Sequence, residues 1–160
     1  MSEFRVEKRR TEAALTLTTG ATVCGCFFLA GSRANQVGPE RVGDLLNAEA
    51  GFFPFELNGD VSPRTVLYNR AQVVLVTLLG ETIEAQLDPG YHLATVRAVE
   101  MLLSNGRTIA GTVRVYRPAG RDRLSDYARL PEAFRYLEAA EGTVIVNCAH
   151  IVEIRETSEA

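Results

Sequence analysis

The chain of 160 residues has no tryptophan, a single lysine (Lys8), two histidines, two methionines and three cysteines. Each scarcity removes a class of explanation. Three cysteines, an odd number, cannot all pair within one chain, so no disulfide-built scaffold is expected and a reducing cytoplasm is the default. His92 and His150 are the only histidines, and no Cys-x2-Cys spacing accompanies them, so neither a zinc-type site nor another cofactor is expected. No apolar run approaches the roughly 20 residues that cross a bilayer. The longest, Val73 to Leu79, contains Thr77 and stops at Gly80, so no membrane partner is expected. Basic residues near the N-terminus are followed by no apolar segment and cleavage site, which argues against a secretory leader.

Positive charge is not in excess either. Lys and Arg number 17 against 20 Asp and Glu, a formal net charge of −3. Residues 1–90 hold 8 basic and 11 acidic residues, and residues 91–160 hold 9 of each. Neither half has the basic surplus that supplies most non-specific nucleic-acid affinity, which disfavours a nucleic-acid partner.

What the chain does contain is the same phrase twice. Gly20-x-Thr22-Val23-x-Gly25 returns as Gly106-x-Thr108-Ile109-x-Gly111, and Arg41-x-x-Asp44 as Arg123-x-x-Asp126. Phe52-x-x-x-Glu56 returns as Phe134-x-x-x-Glu138. Thr65-Val66-Leu67-x-Asn69-x-Ala71 returns as Thr143-Val144-Ile145-x-Asn147-x-Ala149. The offset is 86 residues at the first block, 82 through the middle two and 78 at the last, so two loops are four residues shorter in the second copy. A period of this size signals a repeated architecture. It divides the chain into units 1–90, which includes a connector, and 91–160. Units this small bury a limited fraction of their surface, so a shared interface is expected.

Each copy reads as short strands. Ala13, Leu15 and Leu17 alternate with polar or small residues, as do Val99, Met101 and Leu103, and Thr19-Gly20 and Asn105-Gly106 supply hairpin turns. Gly25 and Gly111 fall inside the returning strands, where glycine marks a sharp bend or a close backbone approach. Asp44 and Asp126 are placed to cap a helical turn. Phe52 to Leu57 and Phe134 to Ala139 are third strands, although Glu132 to Ala140 also suits a helix. Asn69 and Asn147, which tolerate left-handed backbone, are expected to turn a hairpin between the fourth and fifth strands. The fold class is therefore all-β: two small, strongly bent, five-stranded antiparallel barrels in tandem, each with a short helical or loop insertion.

Chemistry is harder to find. Arg41, Asp44, Arg123 and Asp126 form either a ligand contact or a structural ion pair, and structural pairs commonly imitate sites. Cys24-x-Cys26 and Cys148-Ala-His150 each place two reactive groups on one face of a strand, but neither pattern is repeated with a base, a nucleophile and an oxyanion donor. No catalytic residue is assigned, and the protein is expected not to be an enzyme.

Gly106-Arg-Thr-Ile-Ala-Gly111-Thr-Val resembles the first motif of the Sm/LSm family, and Gly20-Ala-Thr-Val-Cys-Gly25-Cys-Phe is a second version. Val66-Leu-Tyr-Asn-Arg70-Ala-Gln-Val-Val and Val144-Ile-Val-Asn-Cys148-Ala-His-Ile-Val resemble the second motif. The Arg-x-x-Asp segment between motifs is similar to that of bacterial proteins with Sm-like folds. The resemblance implies bent five-stranded barrels joining edge to edge, often as rings, and frequently binding RNA. The RNA-binding positions correspond to Asn69, Arg70 and Asn147, with Asn35 nearest to the family's loop asparagine. The arginine-glycine pair of that family reads Arg70-Ala71 and Cys148-Ala149 here, so assembly is expected in preference to RNA binding. The assembly edges are Val66, Leu67, Tyr68, Val144, Ile145 and Val146, with Gln72–Val76 and His150–Ile154 as further participants. A homo-oligomer follows, for which three chains would make a pseudo-hexameric ring; another protein partner is the other outcome. An alternative rests on Arg5, Arg9 and Arg10, whose run resembles the arginine motif of PilZ domains. That motif binds the phosphates of a cyclic dinucleotide, and Asp60-Val-Ser62-Pro-Arg-Thr65 approximates its companion.

Overall fold

The computed structural model describes residues 8–30, 40–59, 64–80, 86, 88–118 and 120–157. Ten strands and two short helices make up these residues. The first half contains β1 (Lys8–Leu17), β2 (Thr22–Ala30), α1 (Val42–Ala48), β3 (Phe52–Leu57), β4 (Arg64–Asn69) and β5 (Val73–Leu78). The second contains β6 (Thr95–Leu103), β7 (Thr108–Val115), α2 (Leu124–Ala128), β8 (Phe134–Ala139), β9 (Gly142–Asn147) and β10 (Ile151–Glu156). All pairings are antiparallel and join one ten-stranded sheet in the order β10-β6-β7-β8-β9-β5-β1-β2-β3-β4. The segment 134–139, which also suited a helix, is a strand, because its alternating side chains pack on two neighbours.

Two close approaches between neighbouring strands fall at glycines. A side chain on Gly25 would place its Cβ 2.0 Å from the Glu56 carbonyl oxygen, and one on Gly111 would lie 2.5 Å from that of Glu138. Only a bare backbone permits β3 to cross β2, and β8 to cross β7, at this distance. Each crossing contributes only two paired positions, Gly25↔Leu57 with Cys26↔Glu56 and Gly111↔Ala139 with Thr112↔Glu138. The tight turns before β2 and β7 require the positive φ of Gly20 (92°) and Gly106 (85°).

Two expectations need correction. The segments at Asn69 and Asn147 are not hairpins, since β4 does not pair with β5, nor β9 with β10. Both asparagines are extended, not left-handed, and their side-chain oxygens accept from the N–H two residues on to cap the three-residue 3-10 turns Arg70–Gln72 and Cys148–His150. The turn redirects the chain, so each fifth strand pairs with the first strand of its own half. The five strands of each half are consequently not closed into a ring by hydrogen bonds. The sheet is open, ending at β10 and β4.

Two clusters of apolar side chains fill the concave faces. One gathers Ala13, Leu15, Phe27, Leu29, Phe53, Phe55 and Val76 of the first half with Phe134 and Ile145 of the second. Phe27 stacks on Phe53 and meets Phe55 edge-on, with centroids 5.6 and 5.0 Å apart. The other gathers Val99, Met101, Leu103, Val113, Leu137, Val144 and Val146 with Val74 and Leu75 of the first half. Each such side chain stabilises by roughly 1.5–3 kcal/mol when fully buried. The exchange of side chains between clusters therefore binds the halves firmly.

Candidate functional site

The seam between the halves is a strand pairing. β5 and β9 run antiparallel with Leu75 opposite Val146, Val76 opposite Ile145 and Thr77 opposite Val144. Val144, Ile145 and Val146 are thus paired on both sides, with β8 and β5, and are not an open assembly edge. Their placement depended on which strand the fifth strand of the other half would meet. Val66, Leu67 and Tyr68 do lie on an open edge, since among the described residues β4 pairs only with β3. The other open edge is β10, paired only with β6 and broken by a register shift between Ile151 and Glu153. β5 carries the corresponding shift against Leu17 and Thr16, between Val73 and Leu75.

Side chains reinforce the seam. The Asn147 carboxamide nitrogen donates to the carbonyls of Arg70 (3.2 Å) and Val73 (3.0 Å). His150 bridges the Ala71 carbonyl (2.7 Å, Nε2) and the Ser104 hydroxyl (2.8 Å, Nδ1). The turn Cys148–His150 thereby grips the turn Arg70–Gln72. Cys148 and His150 lie on this turn instead of on one strand face, and the imidazole is already engaged on both nitrogens.

The nucleic-acid candidates have structural tasks. Arg70 is buried and donates to the carbonyls of Phe52 (2.7 Å) and Leu45 (3.0 Å), with its guanidinium 5.5 Å over the Phe53 ring. Burial lowers its pKa, opposed by Glu49. Its Nε has no hydrogen-bond partner among the described residues. Asn147 is engaged as above, and Asn69 caps its own turn. Asn35 lies outside the described residues.

Arg41 and Asp44 do meet. The Asp44 carboxylate accepts from the Arg41 backbone N–H (2.9 Å) and from Nη2 and Nε (3.3 Å each). Nη1 reaches Asp88 at 2.5 Å. Burial alone would lower the Arg41 pKa, but Tyr136, Asp88 and Asp44 outweigh it and raise it. Asp44 sits at the third position of α1, not at its cap, and satisfies a free N–H of the first turn. Asp126 does the same for the Arg123 N–H (3.1 Å) at α2, but the Arg123 guanidinium forms no ion pair among the described residues. The repeated motif is therefore a repeated helix start, and only the first copy adds the ion pair.

A cavity of about 460 Å³ opens beside this pair, between α1, α2, β7 and β8. Arg114 on its wall pairs with Glu138 (Nε–Oε2 3.4 Å), donates to the Tyr91 carbonyl (2.9 Å) and lies 3.6 Å from the Tyr91 ring centroid. The Tyr91 hydroxyl donates to Glu138, and the Tyr116 hydroxyl to Asp88. Burial, then Asp88, raises the Tyr116 pKa. Arg135 donates to the carbonyls of Tyr127, Leu130 and Glu132, closing the end of α2. Sequence reasoning missed Asp88, Arg114, Arg135 and Glu138 as a group. The repeat was the guide, and the 86- and 82-residue offsets set Phe28 and Phe53 opposite the two arginines. Arg41, Asp88, Arg114, Arg135 and Glu138 each have a partner within the chain.

Arg9 and Arg10 lie on β1, paired with Leu29 and Phe28. Arg9 donates to the Glu40 carbonyl (2.9 Å); Arg10 pairs with Glu56 at 3.4 Å and sits 5.3 Å over Phe28. Both are held in a paired strand and remain exposed. Arg5 lies outside the described residues, as do Asp60 to Pro63 of the companion motif. Cys24 is exposed, while Cys26 is buried, its pKa raised by that burial. Among the described residues no group of three or more His, Cys, Asp or Glu side chains could hold a metal, and no helix is long and apolar enough to cross a membrane. Comparison with protein-family models, curated proteins and solved structures finds no match for this chain.

Proposed function

We propose that the protein is a non-enzymatic assembly module made of two tandem Sm-like bent sheets, units 1–90 and 91–160, whose open edges join copies of the chain head to tail. The observation that carries this reading is a contrast in exposure. Phe134, Ile145 and Val74 lie on the strands beside the internal seam and are 4%, 0% and 0% exposed. The sequence offsets set Phe52, Leu67 and Val152 at the same places, where they are 59%, 63% and 66% exposed. Large side chains that the internal seam buries are left bare at the two ends of the sheet. Exposed apolar residues on unpaired strands mark an interaction edge.

The order of strands supports the same reading. β10-β6-β7-β8-β9 and β5-β1-β2-β3-β4 are one arrangement written twice, and the seam pairs the fifth strand of one with the fourth of the other. What remains free is a fifth strand, β10, and a fourth, β4. Transposing the seam sets Glu153 opposite Tyr68, Ile154 opposite Leu67 and Arg155 opposite Val66 of the next copy. Main-chain hydrogen bonds along the added strand supply affinity, and the side chains set the register. Glu153 stands where the seam has Leu75, so the joint between chains is the more polar and the weaker of the two.

Such a contact is heterologous: it uses two different surfaces, and it produces a closed ring or an open filament according to the rotation per step. Six units in a ring need three chains. Sedimentation and native mass spectrometry at micromolar concentration test the reading. A multimer that Leu67→Lys and Val152→Lys each break into monomers supports it; a wild-type monomer overturns it. The phosphate-ligand and RNA readings gain no specific observation, since Arg9, Arg10, Arg70 and Asn147 are engaged within the chain.

A further inference from the structure

We infer that Asn69 and Gln72 form a carboxamide clamp that holds the turn Cys148–His150 of a second copy of this chain and fixes the register of the joint. This rests on the edge-assembly reading above. At the internal seam, Asn147 divides its carboxamide between two tasks. Its oxygen accepts from the Ala149 N–H (3.0 Å), and its nitrogen donates across the seam to the carbonyls of Arg70 and Val73. This side chain is 3% exposed. His150 likewise holds Ser104 with one ring nitrogen and donates to Ala71 across the seam with the other.

The first half has the same local arrangement with its crossing half unfilled. Asn69 oxygen accepts from the Ala71 N–H (3.0 Å). That bond fixes the orientation of the amide and directs the nitrogen away from the turn. Gln72 oxygen accepts from the Thr18 hydroxyl (2.6 Å), as His150 engages Ser104. Among the described residues neither the Asn69 nitrogen nor the Gln72 nitrogen has a hydrogen-bond acceptor. Both lie at the end of the open strand β4.

The acceptors follow from the same transposition. Arg70, Ala71 and Val73 correspond to Cys148 and Ala149 of the turn and to Ile151, the first residue of the open strand β10. The Cys148 carbonyl already accepts from the Ile151 N–H, as that of Arg70 accepts from Val73 while also receiving Asn147, so one lone pair remains. With Asn69 on the carbonyls of Cys148 and Ile151, and Gln72 on that of Ala149, the two turns interlock in one register. A slip by two residues loses these bonds, whereas the strand ladder alone would tolerate it.

The double variant Asn69→Asp with Gln72→Glu tests the clamp. Each replacement keeps the oxygen that serves the chain's own turn and removes the nitrogen that would reach the neighbour. The dissociation constant of the assembly is measured by sedimentation at low and at high salt, with Leu67→Lys as the edge control. The expected result is a rise of roughly ten- to a hundredfold that salt does not restore, with the monomer's melting temperature unchanged. If the variant assembles as the wild type does while Leu67→Lys dissociates, the clamp is overturned and the edge reading stands. Recovery at high salt overturns the clamp too, since the loss was then charge repulsion. A wild-type chain that stays monomeric removes both. Should the double variant not fold, Gln72→Glu alone, at an exposed position, decides by the same outcomes.

Discussion

Asn47 and Phe134 exchange two hydrogen bonds across the halves: the Asn47 nitrogen donates to the Phe134 carbonyl at 2.9 Å, and the Phe134 N–H donates to the Asn47 oxygen at 2.8 Å. A single side chain of α1 thereby completes the first residue of β8. Asn47→Ala leaves both backbone groups unanswered and is expected to reduce unfolding free energy by roughly 1–3 kcal/mol in urea titration. The offset sets Arg129 at this place in the second half, so this latch is particular to the internal seam.

Asn147→Asp is expected to be more damaging than Asn69→Asp, because a buried carboxylate would face the carbonyls of Arg70 and Val73. The loss is on the order of 3 kcal/mol at neutral pH. Folding raises the pKa of such an acid, so its penalty is present above the folded pKa and fades as pH falls through it. Thermal melting of the variant against the wild type should converge toward acid pH.

Gly25→Ala is expected to prevent the crossing of β2 and β3, and Gly111→Ala that of β7 and β8. The nearest contacted atoms are backbone carbonyl oxygens, which cannot rotate away as a side chain can. The closer approach at Gly25 makes it the more severe, beyond the roughly 1–3 kcal/mol of ordinary overpacking. Loss of soluble, cooperatively melting protein for Gly25→Ala is the measurement.

Stability is expected to decline above pH 10. Burial pushes the Tyr127 hydroxyl up to about 12 in the folded protein, while the unfolded chain ionises near the ordinary value of about 10. Between those values the unfolded state holds fewer protons, so the stability present below pH 10 is lost as pH rises, amounting to roughly 2–3 kcal/mol from this group. Tyr127→Phe should flatten the decline in denaturant titrations at alkaline pH. Tyr91 and Tyr116 are shifted in the same direction and leave a residual slope.

The sequence by itself determined the local pieces: the strand Phe52–Leu57, the hairpin turns at Gly20 and Gly106, the close backbone approaches at Gly25 and Gly111, and a helical turn at Asp44 and at Asp126, while Phe134–Ala139 stayed open between strand and helix. Alternation, turn chemistry and a missing Cβ act over a few residues, so they are written in neighbouring letters. Tertiary structure alone decided which edges stay open. Val66–Tyr68 and Val144–Val146 read alike as strands, and only the arrival of β5 beside β9 buries all of the second set while Leu67 of the first stays exposed. The same long-range pairing fixed the fate of the polar groups: Arg70 is drawn to carbonyls of α1 and β3, and Asn147 to those of the facing turn. Such acceptors lie far away in sequence, and no local pattern announces them.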